Sequence, residues 1–174
     1  RFLQTHMEKK PVPLQQQARN EQYFPKDIQL KQGYLRFINC GAYDGDTIRL
    51  LNQTVGKVEQ IICFEPEPEV YKRLVEYLEE NKNELAKDIS TYPYAVFNEQ
   101  KTVRFNSRHG LGSRIDKNGN CYVKSKSLDQ VIPAIKPTFI SMDIEGAELA
   151  ALLGAESILR KWKPDLGICV YHSP

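Results

Sequence analysis

The chain has 174 residues, enough for one domain around one sizeable core. Its 24 Lys and Arg against 22 Asp and Glu leave a net charge of +2. The basic residues are scattered along the sequence, which disfavours nucleic acid as a partner. No apolar run approaches the roughly 20 residues of a membrane span, and the start lacks a signal-peptide core, so neither a membrane nor export is expected.

Four cysteines, at 40, 63, 121 and 169, show no C-x-x-C spacing, so no metal site is expected. Cys40, Cys63 and Cys169 lie in apolar runs where a free thiol acts as a small hydrophobe, which suits a reduced, cytoplasmic setting. Residues 1–33 read as an N-terminal arm rich in Gln, Lys and Pro, docked through Tyr23 and Phe24, and residues 34–174 read as the folded domain.

Along that domain, "YLRFINC" (34–40) predicts a strand, "GDTIRLLNQ" the opening of a helix, and "VEQIICFE" (58–65) a second strand. From Pro66, Val70, Leu74 and Leu78 recur at i, i+4 and i+8, with Tyr71 and Val75 widening the stripe, as on a helix entered through prolines. A third strand is predicted over 89–96, followed by an antiparallel excursion through "EQKTVRFN" and "CYVKS". "KSLDQVI" predicts a short helix and "PTFISMD" (137–143) a buried parallel strand with a carboxylate at its tip. "EGAELAALLGAESILRKW" predicts a helix broken at Gly154, and "DLGICVYH" another buried strand. Alternation of this kind implies an α/β fold, a doubly wound and mostly parallel sheet with ligands at the carboxyl ends of its strands.

At that end lies the turn "NCGAYDGD". Gly41, Ala42 and Gly45 let the backbone pass close to a ligand, and Asn39 and Asp44 can accept hydrogen bonds from an ammonium group. The spacing G-x-x-x-G departs from the dinucleotide fingerprint, and aspartates there repel a pyrophosphate, so NAD is disfavoured. Glu65, ending the second strand, can take both hydroxyls of a ribose. A cationic, ribose-bearing cofactor satisfies these features, and S-adenosylmethionine is such a molecule, its adenine lodged near Pro66, Tyr94 and Ala95.

The motifs "INCGAYDGDT", "FEPEPEVYKRL", "KSLDQVI", "SMDIEGAELAALLGAESIL" and "KPDLGICVYH" together resemble the FkbM-type methyltransferase family, from about Tyr23 to the last residue. The resemblance implies a class I methyltransferase fold, S-adenosylmethionine as donor, and methylation of hydroxyls on sugars or similar small natural products. Asn39 replaces the aspartate common in that slot, and the antiparallel hairpin that usually follows the fifth strand is not encoded, so the C-terminal strands are expected in a longer parent protein.

For the chemistry, Asp143 is the first candidate, either as a base or an orienting acceptor at the methyl group, or as a cofactor or capping residue. Glu145 can bind substrate, or with Glu148 complement a helix dipole. His172 has a pKa suited to a base, or is a solvated rim residue. His109 and Ser113 form a lid that touches substrate, or an ordinary loop. A small sugar-like acceptor is the expected partner, and a homo-oligomer stays open. The alternative function is a methyltransferase-fold scaffold without catalysis.

Overall fold

A computed structural model describes residues 23–108 and 112–170. Nine strands and five helices follow in order: β1 (Arg36–Cys40), α1 (Asp46–Val55), β2 (Val58–Phe64), α2 (Pro68–Leu85), β3 (Ala86–Tyr92), β4 (Ala95–Val96), β5 (Lys101–Asn106), β6 (Arg114–Ile115), β7 (Cys121–Lys126), α3 (Leu128–Val131), β8 (Phe139–Met142), α4 (Glu148–Leu153), α5 (Glu156–Trp162) and β9 (Asp165–Ile168), counted among the described residues. Five of the strands make a parallel sheet in the order β3-β2-β1-β8-β9. The order reverses between β1 and β8, which opens a crevice at their carboxyl ends. The remaining four form a second sheet, β4-β7-β5-β6, with β5 antiparallel to both neighbours.

Strand alternation divides the core in two. Phe37, Ile61, Cys63 and Phe139 face α1 and α2, meeting Ile48, Leu51, Leu74 and Leu78. Ile38, Cys40, Ile62 and Met142 face the other way, onto Leu128, Ala151, Ala155 and Ile158. The stripe read on α2 is buried at Val70, Leu74 and Leu78, and each such side chain contributes about 1.5–3 kcal/mol. Gly154 separates α4 from α5, and a methyl there would stand 2.2 Å from the Phe97 carbonyl oxygen.

The arm packs on the first of these cores. Phe24 is buried and sets its ring 5.2 Å from Tyr34 and 6.2 Å from Phe37. Further along, the Asp165 carboxylate accepts the backbone N–H groups of Lys31, Gln32 and Gly33 at 3.2, 2.7 and 3.0 Å.

Two elements differ from expectation. The strand expected over 89–96 begins at Ala86, directly from α2, and ends at Tyr92. Pro93 has no N–H for the ladder, and the chain then crosses into the second sheet at Ala95. The strand expected to be buried over "DLGICVYH" stops at Ile168 and is an edge among the described residues, with Leu166 and Val170 45% and 76% exposed. No helix among the described residues is long and apolar enough to cross a membrane.

Candidate active site

The turn after β1 is shaped by its own backbone. Gly41 and Ala42 both donate to the Phe64 carbonyl at 3.0 Å, and Gly45 donates to Ala42 at 2.9 Å. Gly41 (φ 80°) and Gly45 (φ 90°) are in the left-handed region, and so is Tyr43 (φ 48°). The glycines serve protein contacts as well. A methyl on Gly41 would stand 2.1 Å from the Asp143 carbonyl oxygen, and one on Gly45 2.6 Å from the Tyr77 ring. At both positions the space a side chain would fill is held by protein.

The turn points the Tyr43 N–H at Glu65, whose Oε2 accepts it at 2.9 Å while Oε1 accepts the Glu67 N–H at 3.0 Å. Glu65 is only 7% exposed. Burial pushes its pKa up to about 7, against the opposing pull of those two backbone donors and of Arg73, with Glu67 adding to the rise. Glu67 is itself buried and accepts the Ser107 hydroxyl, which ties the second sheet to this turn.

Glu65 opens into a cleft of about 820 Å³, counted out to its open mouth. One wall comes from the parallel sheet: Gly41, Tyr43, Asp46 and Thr47 after β1, and Asp143, Ile144 and Glu145 after β8. The facing wall is Pro66 and Val70 with Tyr94, Ala95, Val96, Phe105 and Ile115 of the second sheet and its approaches, and Gly112 and Ser113 lie at its edge. Tyr23 of the arm also lines it, and its hydroxyl donates to Asp143 Oδ2 at 2.7 Å. The charged residues lining the cleft, among those described, are all carboxylates: Asp46, Glu65, Glu67, Asp143 and Glu145.

The cleft thus gathers Gly41, Glu65, Pro66, Tyr94, Ala95, Ser113, Asp143 and Glu145 from the residues read in the sequence. It does not gather Asn39, Ala42, Asp44 or Gly45. Asn39 is 1% exposed, between Cys63 and Ser141 in the strand register, and its Nδ2 has no hydrogen-bond partner among the described residues. Ala42 is fully buried. Asp44 turns outward to Arg49, bridging to it at 2.8 Å, and Arg49 lies over the Tyr77 ring at 4.2 Å. Its place at the cleft is taken by Asp46, whose Oδ1 accepts the Thr47 N–H at 2.7 Å. Glu148, the first residue of α4, reaches back along the preceding loop and accepts the Ile144 N–H at 3.0 Å. His109 and His172 lie outside the described residues.

Sequence reasoning missed Tyr23, Asp46, Thr47 and Glu67 as cleft residues. A signal existed for Glu67: in "FEPEPE" each proline holds the residue before it extended, so Glu65 and Glu67, two apart, share a face. None existed for Tyr23, which meets its partner across 120 residues of chain.

Comparison with known proteins agrees with this architecture. The family model described as Methyltransferase FkbM domain matches residues 39–174. The crystal structure of Methyltransferase FkbM from Methylobacillus flagellatus KT at 2.20 Å resolution is similar at a TM-score of 0.69 and 26% identity, over 88% of this chain and 37% of that one. The chain therefore spans little more than a third of that protein's length. No curated protein matches the chain. With most of its length matched by the family model and its parallel sheet matched in a solved relative, the chain belongs to the FkbM methyltransferase family.

Proposed function

We propose that the cleft holds S-adenosylmethionine and that the chain methylates a hydroxyl group of a sugar-like acceptor. The observation that carries this reading is the Glu65 carboxylate, buried on the cleft wall and fixed in direction by two backbone N–H groups. Each of its oxygens has a second lone pair, so a vicinal diol can still be taken by both. Its raised pKa indicates that the two donors do not offset its burial, and two ribose hydroxyls would supply more.

The other contacts fit the same molecule. Pro66, Tyr94 and Ala95 form an apolar slot suited to adenine, and Asp46 and Thr47 stand where a charged amino group could be met. An all-carboxylate set of charged liners favours a cationic ligand and opposes a pyrophosphate. When bound, S-adenosylmethionine supplies a methyl group on a positively charged sulfur.

What the chain does is position. Asp143, its Oδ2 engaged by Tyr23, stands at the tip of β8 to take a hydrogen bond from the acceptor hydroxyl, fixing its direction and drawing on its proton. Glu145 and Ser113 border the same space and can hold further hydroxyls of a sugar. Val70, Val96, Phe105 and Ile144 keep the wall dry. A base at the hydroxyl accounts for roughly 10²- to 10⁴-fold in rate, with orientation supplying much of the rest.

Calorimetric titration with S-adenosylmethionine, S-adenosylhomocysteine and NAD tests the reading. Saturable binding of the first two without the third is expected. Binding of NAD alone would reject it in favour of a dinucleotide enzyme, and no binding of any would favour a non-catalytic scaffold.

A further inference from the structure

The charge of the cleft bears on its second ligand, the methyl acceptor, as well as on the cofactor. Among the described residues its charged liners are Asp46, Glu65, Glu67, Asp143 and Glu145, with no Lys or Arg beside them. Glu65 and Glu67 are 7% and 2% exposed, so water does little to screen them. The pKa of Glu65, raised to about 7 by burial with Glu67 adding to the rise, reflects the same negative field.

The fold's usual anion sites are filled by the protein itself. Two helices begin at this cleft, and a helix start attracts anions through its unused N–H groups and its dipole. Here each start carries its own carboxylate: Asp46 opens α1 and accepts the Thr47 N–H at 2.7 Å, and the buried Glu67 is the N-cap residue of α2. Nearby cations do not reverse the field. Arg49 bridges to Asp44 at 2.8 Å, Lys126 lies over the Tyr94 ring at 4.4 Å, Arg73 and Arg108 are exposed, and none of the four lines the cleft.

S-adenosylmethionine has two positive groups and one negative, so its net charge offsets only one of the five carboxylates. With its ribose at Glu65 and its amino group near Asp46, Asp143 and Glu145 are left to face the acceptor. Hydroxyls or an ammonium group donate to such carboxylates, whereas a phosphate or carboxylate at the same distance is repelled. Resting on the reading of this cleft as a methyltransferase site for a sugar-like acceptor, we propose that the acceptor is a finished glycoside, neutral or bearing an amino group, and that sugar phosphates and sugar nucleotides are excluded. A sugar activated for transfer carries phosphate or diphosphate on its anomeric carbon, and glycosyl transfer removes it. The reaction that supplies this substrate is therefore a glycosyl transfer, and methylation follows it.

The full 174-residue chain is first titrated with S-adenosylhomocysteine, and the saturated protein is then offered four sugars of similar size, with affinities read by saturation-transfer NMR. These are methyl glucoside, methyl glucosaminide, methyl glucuronide and glucose 1-phosphate: one neutral, one cationic and two anionic. The neutral and cationic glycosides are expected to bind about tenfold or more tightly than either anion, with the gap narrowing at high salt. In Asp143→Asn/Glu145→Gln the gap is expected to shrink to about threefold or less. An anionic sugar bound as tightly as methyl glucoside, an unchanged gap in the double variant, or no sugar bound by wild type would each overturn the proposal. Failure of S-adenosylhomocysteine to bind would instead reject the cofactor assignment, and the same four sugars offered to the ligand-free protein would still decide the charge preference.

Discussion

The Tyr23 hydroxyl donates to Asp143 Oδ2 at 2.7 Å, joining the arm to the tip of β8. Tyr23 precedes the span 39–174 that the family model matches, so a residue outside that span helps to build the cleft. A hydrogen bond to a charged group is worth about 1.5–3 kcal/mol when buried, and this one is part-buried. A double-mutant cycle of Tyr23→Phe and Asp143→Asn, followed by urea unfolding, should give a coupling of about 1–2 kcal/mol. Strictly additive losses would show that the two side chains do not act as a pair in solution.

Glu65 gives the ligand-free protein an unusual pH dependence. Its pKa is about 7 folded against 4.5 ordinarily, so between these values the folded protein holds a proton that the unfolded chain has released. Its contribution to stability is therefore full below about 4.5 and declines as pH rises toward 7, then levels. Glu65→Gln, which cannot ionise, should remove that decline from a plot of melting temperature against pH. Affinity for S-adenosylhomocysteine should move the other way, rising with pH up to about 7 as the carboxylate ionises. An affinity that is level from pH 5.5 to 7 in wild type would count against Glu65 as the ribose contact.

Gly41 and Gly33 separate backbone strain from close approach. Both have positive φ, 80° and 71°, but a methyl on Gly41 meets the Asp143 carbonyl oxygen at 2.1 Å and one on Gly33 meets nothing within 4 Å. Gly33→Ala should cost about 1 kcal/mol. Gly41→Ala should cost roughly 3–5 kcal/mol, combining strain with overpacking. Similar losses by chemical denaturation would mean that β1 and β8 are less tightly apposed than described.

Much of the fold is legible because periodicity reports burial. Val70, Leu74 and Leu78 place α2, and "FISM" between polar flanks places β8. The start of β3 is not legible, since Leu85 runs into Ala86 with no turn residue to mark the change. Nor does apolar composition tell β9, an edge among the described residues, from a central strand, because both are rich in the same residues. At the site, the sequence pointed to Glu65 and Asp143 as strand-end carboxylates, and both line the cleft. Which of Asp44 and Asp46 faces that cleft is set by a turn in which Tyr43 as well as Gly41 and Gly45 has positive φ, and a tyrosine does not announce that conformation.

The measurement closest to the centre of this reading is the affinity of S-adenosylhomocysteine for wild type and for Glu65→Ala, by calorimetry at pH 8. Loss of the two hydroxyl contacts should weaken binding by about tenfold to a hundredfold, equivalent to roughly 1.5–3 kcal/mol. Equal affinity in the two proteins, with both folded, would contradict the assignment of Glu65 as the ribose contact and with it the placement of the cofactor in this cleft.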